Sequence, residues 1–284
     1  MNRGTGAVLK QIRKSKHLSA ANIADNLVRQ PQISRFENGK STLTVDRFLG
    51  LLQNMAVTLD EFQSIFNEYN LSEEDTFRMD LAHAYDAKDE EKLKRMLAIW
   101  QNKQKMEPQK KYIKINVTVI EVMLSYVSEN FKPFKDDIKF LTDYLMNVED
   151  WGRFEFWAFG CCVSVFDNGT LKLLGQEVFH KLAFYKNIVG NYQRVVRVLL
   201  NLLAVWIDKG EYHLALKYLK YLENQNLSIE LMYERLMLKY NKGRYLYKTG
   251  KKEGMDLMKS CSEMLENLGY FDKAKSLTSE IERL

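Results

Sequence analysis

Up to residue 66 the apolar positions gather into five short clusters with helical spacing. Val8, Leu9 and Ile12 mark the first, and Ile23, Ala24 and Leu27, behind Ser19 as N-cap, mark the second. The third begins near Gln30-Pro31, since proline is tolerated in a first helical turn. It buries Ile33 and Phe36 on one face, turns Gln32 and Arg35 to a neighbouring face, and stops at Asn38-Gly39, where glycine supplies a left-handed end. Val45, Phe48, Leu49 and Leu52 predict a fourth helix after Thr44. Leu59, Phe62, Ile65 and Phe66 predict a fifth after Thr58, with Asp60 and Glu61 in its first turn, where the helix dipole favours acid. The second and third helices are joined by so few residues that they must meet at a steep angle, which is a helix-turn-helix.

From Ser72 onward the pattern changes to long amphipathic helices. Breaks near Asp86 to Asp89, Phe131 to Pro133, Asn168-Gly169, Lys209-Gly210 and Thr249-Gly250 recur at about 40 residues, a helical-repeat period. The clearest unit runs from Val195 to Leu222, with Gly210 at the turn, Tyr212 and Leu216 for packing, and Ala215 at a close helix contact. A second copy follows with Gly250, Gly254, Met255 and Met258. The units resemble tetratricopeptide-like repeats, which stack into a right-handed superhelix with a concave inner surface. On the helix of Val195, Arg194, Arg197 and Asn201 form a polar stripe, and Glu234, Asn241 and Tyr245 take a comparable register in the next unit. An asparagine amide carries both a donor and an acceptor and so suits the backbone of an extended peptide, although each such residue alone serves equally as a contact between helices.

Composition supports an all-α chain of two domains, residues 1–68 and 69–284. Hydrophobic residues at 46% and charged residues at 28% belong to a folded protein, while Gly 14 and Pro 3 are too few for many strands and tight turns. The formal net charge is +5, yet nine Lys and Arg stand against three acids up to Arg47, so the excess is concentrated at the start of the first domain. A basic small domain on a neutral large one suggests a polyanion-binding head. Cys161, Cys162 and Cys261 show no metal or redox spacing and suit a reduced, cytoplasmic chain, the adjacent pair reading as small buried residues or as a redox switch. No apolar run approaches a membrane span, and Met1 to Gln11 lacks the apolar block of a signal peptide. His17, His83, His180 and His213 are scattered without ligand spacing, and neither a phosphate loop nor a nucleophile elbow is present. No catalysis, cofactor, metal or membrane partner is therefore expected.

The stretch I-A-D-N-L-V-R-Q-P-Q-I-S-R-F-E-N-G-K-S resembles the repressor-type helix-turn-helix and is especially similar to the Rgg family of regulators, through Gln32 to Glu37 and Gly39. Arg29 stands where that family carries a serine, and Pro31 replaces another small polar residue. By groove chemistry Arg35 is the natural bidentate donor to a guanine edge, and Gln30 and Gln32 can pair with adenine or a phosphate. Arg13, Lys14, Arg29, Ser34 and Lys40 suit backbone clamps. A weaker resemblance continues at Trp151 to Gly160 and in the segment ending at Asn201. It implies a homodimeric receptor for a short hydrophobic peptide pheromone, with Arg153, Asn201 and Asn241 in the peptide groove and a near-palindromic duplex operator as target. The rival readings are a solvated charged face on the first domain, or a helical-repeat adaptor whose first domain does not read DNA.

Overall fold

A computed structural model of the chain describes residues 4–185 and 191–284, the side chains of 181–184 excepted. Among the described residues it holds fifteen α-helices, two short 3-10 turns and no strand, as the spacing and composition predict. The chain divides into two compact units, Met1–His83 and Ala84–Leu284.

The first unit is built from α1 (Thr5–Ser15), α2 (Gln30–Glu37), α3 (Val45–Asn54) and α4 (Leu59–Phe66), followed by α5 (Glu73–Asp86), which contains the division point. Val8, Leu9 and Ile12 of α1 meet Ile33 and Phe36 of α2, Leu51 and Leu52 of α3 and Phe62 of α4 in one core. The Phe48 ring stands edge-on to Phe36 at 6.3 Å and to Phe62 at 4.8 Å. The crossing of α1 over α2 is tight, since a Cβ on Gly6 would lie 2.0 Å from the Phe36 carbonyl oxygen.

The expected second helix is absent, and residues 20–28 form turns instead. Its short polar side chains bond their own backbone. Asn22 Oδ1 accepts from the Ser19 N–H, and Asp25 Oδ1 accepts from the N–H groups of Leu27 and Val28. Such local bonds compete with the helical ladder, and Asn54 of α3 fixes the result by donating to the Ile23 carbonyl. Ile23 stays in the core, but Val28 fills the place expected of Leu27, which is exposed. Val45, Leu49 and Leu59 likewise face solvent, leaving the rest of their clusters to pack.

One ion pair ties α1 to the end of α2. Arg13 Nε and Nη2 donate to the two carboxylate oxygens of Glu37 at 2.6 and 2.7 Å, and its Nη1 donates to the Leu18 carbonyl at 2.7 Å. Both side chains are buried, so this fork-to-fork pair is a brace within the fold.

The second unit continues through α6 (Glu90–Met106), α7 (Lys111–Val127), α8 (Lys135–Asn147), α9 (Arg153–Cys162), α10 (Asn168–Tyr185), α11 (Asn191–Asp208), α12 (Tyr212–Glu223), α13 (Met232–Lys248), α14 (Glu253–Asn267) and α15 (Phe271–Glu282). Neighbours in sequence pack as hairpins, notably α6 with α7, α11 with α12 and α13 with α14, while α11 also touches α9 and α13. The α11–α12 turn uses Gly210 at φ 72°, as its place between two repeat helices requires. The α13–α14 pair closes on glycines at both sides, because a Cβ on Gly254 would stand 2.3 Å from the Gly243 carbonyl oxygen. Arg244 is buried across α11, α13 and α15, donating to Asp208 at 2.5 Å and Asn241 Oδ1 at 3.2 Å and pairing with Glu280 at 2.8 Å.

Glu121 of α7 is fully buried. Its Oε2 accepts the Phe134 N–H at 3.4 Å and its Oε1 has no hydrogen-bond partner among the described residues. Burial pushes this carboxyl up to about 7, reinforced by Asp137 and opposed by the Phe134 N–H and Lys114.

Arg13→Ala leaves the Glu37 carboxylate buried without its cation and is expected to cost the first unit about 3 to 5 kcal/mol, whereas Arg13→Met with Glu37→Leu recovers most of the loss; urea unfolding measures both. Glu121 holds its proton in the fold where the unfolded chain has lost it, so its stabilisation is complete below the unfolded value of 4.5 and disappears as pH rises through about 7. Relative to Glu121→Gln, the natural chain is expected to lose stability between those two values with a slope approaching about 1.4 kcal/mol per pH unit, and to run parallel to it above them.

Candidate functional site

The exposed face of α2 is set by its register. Ile33, Phe36 and Glu37 are buried, so Gln30, Gln32, Ser34 and Arg35 stand outward together with Arg29 before the helix and Lys40 after it. Gln32 Oε1 accepts the Arg29 N–H at 3.1 Å and so closes the helix start, the service expected of a capping side chain. The Gln32 side chain is otherwise exposed. At the other end Gly39 has φ 68°, and its N–H and that of Lys40 donate to the carbonyls of Phe36 and Arg35. Lys14 is exposed on α1, and Lys10 Nζ donates to Asn38 Oδ1 at 2.7 Å. Arg13 departs from its expected role as a phosphate clamp, because its guanidinium is consumed by Glu37 and Leu18.

The second unit holds a cavity of about 760 Å³. Its floor is apolar, from Met123, Phe156, Val163, Val198 and Val205, and its rim is aromatic, from Tyr85, Tyr126 and Trp157. Trp157, Gly160, Cys161 and Ser164 follow three-and-four spacing from α9 into the turn after it, which puts them along one side. Tyr126 Oη lies 2.5 Å from Ser164 Oγ and 3.3 Å from the Cys161 carbonyl, and burial raises its phenol well above the ordinary range. Cys161 opens into the cavity, while Cys162 behind it is fully buried and its thiol is pushed far up.

Of the polar stripe on α11, Arg194, Arg197 and Asn201 all reach this cavity. Asn201 Nδ2 donates to the Gly160 carbonyl at 3.0 Å, so the amide joins α11 to α9 and offers the cavity its oxygen and its second N–H. Arg197 Nε pairs with Glu234 at 2.6 Å. Glu234 is buried beneath that contact, where Gln193 also donates to it at 3.0 Å, and so acts behind the cavity wall. Asn241 also lies off the wall, buried and accepting from Arg244, and Tyr245 packs edge-on to Tyr212 at 6.4 Å. Arg153 is exposed one turn before Trp157, beyond the cavity. Lys273 of α15 lines it without any signal in the sequence, since its place depends on how a distant helix returns. The wall thus carries the cations Arg194, Arg197 and Lys273 and no carboxylate among its lining residues.

Among the described residues no group of His, Cys, Asp and Glu could hold a metal ion, and no helix is long and apolar enough to cross a membrane. The sequence of the C-terminal domain of the HTH-type transcriptional regulator Rgg matches residues 97–279, and a helix-turn-helix domain matches residues 9–62. The chain is similar to the crystal structure of the Streptococcus dysgalactiae SHP pheromone receptor Rgg2, with 26% identity, 98% of this chain and 99% of that chain covered, and a TM-score of 0.79. It shares its fold with a candidate transcriptional regulator from Listeria monocytogenes EGD-e, at 20% identity, coverage of 100% and 97%, and a TM-score of 0.84. Bacillus thuringiensis PlcR, solved in complex with the peptide PapR7 and DNA, has the same fold at 18% identity, coverage of 96% and 98%, and a TM-score of 0.63. With its family match spanning more than half of its length, the chain belongs to the Rgg family of helix-turn-helix transcriptional regulators.

Proposed function

We propose that the chain is a cytoplasmic, homodimeric regulator in which residues 1–68 read duplex DNA and residues 69–284 bind a short hydrophobic peptide that governs DNA occupancy. The observation that carries the DNA half is the outward face of α2, where Gln30, Gln32, Ser34 and Arg35 are exposed together and flanked by Arg29, Lys40 and Lys14. Arg35 serves as the bidentate donor to a guanine edge, Gln30 and Gln32 as adenine or phosphate contacts, and the flanking cations and Ser34 as backbone clamps. A dimer presents two such helices to half-sites about one helical turn apart, so the operator is near-palindromic. The peptide half rests on the cavity, whose apolar floor, aromatic rim and cationic wall suit an apolar chain bearing a carboxylate. Arg197 and Asn201 are its principal polar contacts, with Arg194 beside them. Glu234 supports Arg197 from behind; Arg153, Asn241 and Tyr245 act outside the cavity wall.

Arg35→Ala is expected to erase the preference for the cognate operator over scrambled duplex, while Lys40→Ala weakens both alike by a similar factor; fluorescence anisotropy on the two duplexes reads the difference, and equal loss of preference in both variants contradicts the assignment. Affinity should also fall steeply with salt, which an adaptor without phosphate contacts would not show. In thermal-shift measurements, short apolar peptides with one acidic group are expected to raise the unfolding midpoint of the natural chain and to leave Arg197→Glu unmoved. A variant stabilised as strongly as the natural chain would remove the groove from the mechanism.

A further inference from the structure

A second cavity, of about 590 Å³, lies between α13, α14 and the start of α15. Its size is that of ligand sites, which span about 300 to 1,000 Å³. Met232, Tyr233 and Leu236 of α13 form one wall and Met264, Leu268 and Tyr270 the other. Several of these are open to solvent, Met232 at 60%, Leu268 at 56% and Tyr270 at 62% exposure, where a folded chain ordinarily hides such side chains. Two facts point to what covers them. Lys273 is the single charged residue among those lining this cavity, and it also lines the larger groove. A lysine presents apolar methylenes along its stem and a cation at its tip, so one side chain can wall an apolar pocket and charge the neighbouring groove at once.

We propose that this second cavity is a subsite for the apolar C-terminal residues of the peptide, whose terminal carboxylate pairs with Lys273 where the two cavities meet. The inference rests on the peptide-binding reading of the larger groove and extends it by naming which end of the ligand goes where. The rest of the peptide runs from Lys273 toward Arg197 and Trp157. A carboxylate at the junction meets a cation, whereas an amidated end would place a neutral group there and lose a charge-assisted contact. The apolar side chains just before it gain the burial that the pocket offers. A helix face from a second copy of the chain could cover the pocket too, but it would leave unexplained why one cation is shared with the groove.

The test uses the full chain and two N-terminally labelled decapeptides of Ser, Leu and Ile that end in Leu-Ile-Leu, one with a free carboxylate and one amidated. The acid form is expected to bind the natural chain about tenfold more tightly than the amide. Lys273→Gln should level the two forms, and Met264→Asp or Leu268→Asp, both at exposed positions that spare the core, should each weaken both forms about tenfold. Equal binding of acid and amide to the natural chain overturns the proposal. If both Asp variants bind as the natural chain does while Arg197→Glu loses the peptide, the subsite falls and the groove reading stands; if none of the three variants changes binding, both fall. Conversion of dimers to monomers by the Asp variants without a change in peptide affinity, read by sedimentation, reassigns the face to a second copy and overturns the subsite. Competition by dodecanoate as strong as that of the acid peptide reassigns it to a fatty acid and does the same.

Discussion

A guanidinium taken out of water is tolerated only where carboxylate and carbonyl oxygens meet it in nearly full number, and that constraint organises both units. In the first, Arg13 spends three nitrogens on Glu37 and Leu18, which locks α1 against the end of α2. In the second, Arg244 does the same for α11, α13 and α15 through Asp208, Asn241 and Glu280. Each brace removes one cation from the surface and fixes which of the others remain outside. The basic face of α2 is therefore a remainder, defined by the arginine that was buried to hold the helix in place.

The same logic distinguishes the two ends of the Q-I-S-R-F-E segment. Ile33, Phe36 and Glu37 face inward and are accounted for by packing and by Arg13. Gln32 works partly inward, capping its own helix, and Ser34 and Arg35 turn their side chains to the outer face. A motif six residues long thus contains about as much scaffold as contact surface, and the glutamate that strengthens the family resemblance is scaffold.

Apolar spacing made most of the architecture legible. The helices around Val8, Ile33, Phe48 and Phe62 stand where three-and-four periodicity puts them, and the breaks at Asp86 to Asp89, Lys209-Gly210 and Thr249-Gly250 fall between helices. Periodicity failed at residues 20–28, where Asn22 and Asp25 bond backbone groups that a helix would need, a competition that spacing does not register. The stripe Arg194, Arg197 and Asn201 could be read because all three lie on one helix. Tyr85, Tyr126 and Lys273 could not, because they reach the cavity from α5, α7 and α15, and only tertiary packing brings those together. Arg13 and Asn241 misled for the opposite reason: a polar residue at the right register looks the same in sequence whether it faces a ligand or a buried partner.

The polar wall of the cavity is already engaged, which limits what a ligand can do to it. Were Arg197 to leave Glu234 for a carboxylate on a ligand, a buried carboxylate would remain with Gln193 as its donor, at a cost of several kcal/mol, about what a buried charge loses with its partner. A ligand is better served by adding to the Arg197 guanidinium through its terminal nitrogens while Nε stays on Glu234. Asn201 behaves alike, giving its oxygen while its nitrogen holds Gly160. On this account the groove wall between α9 and α11 is preformed, and the differential binding that any control of DNA occupancy requires comes from elements less tied than that wall. Lys273, exposed on the last helix, is the cation of the wall that best fits that description.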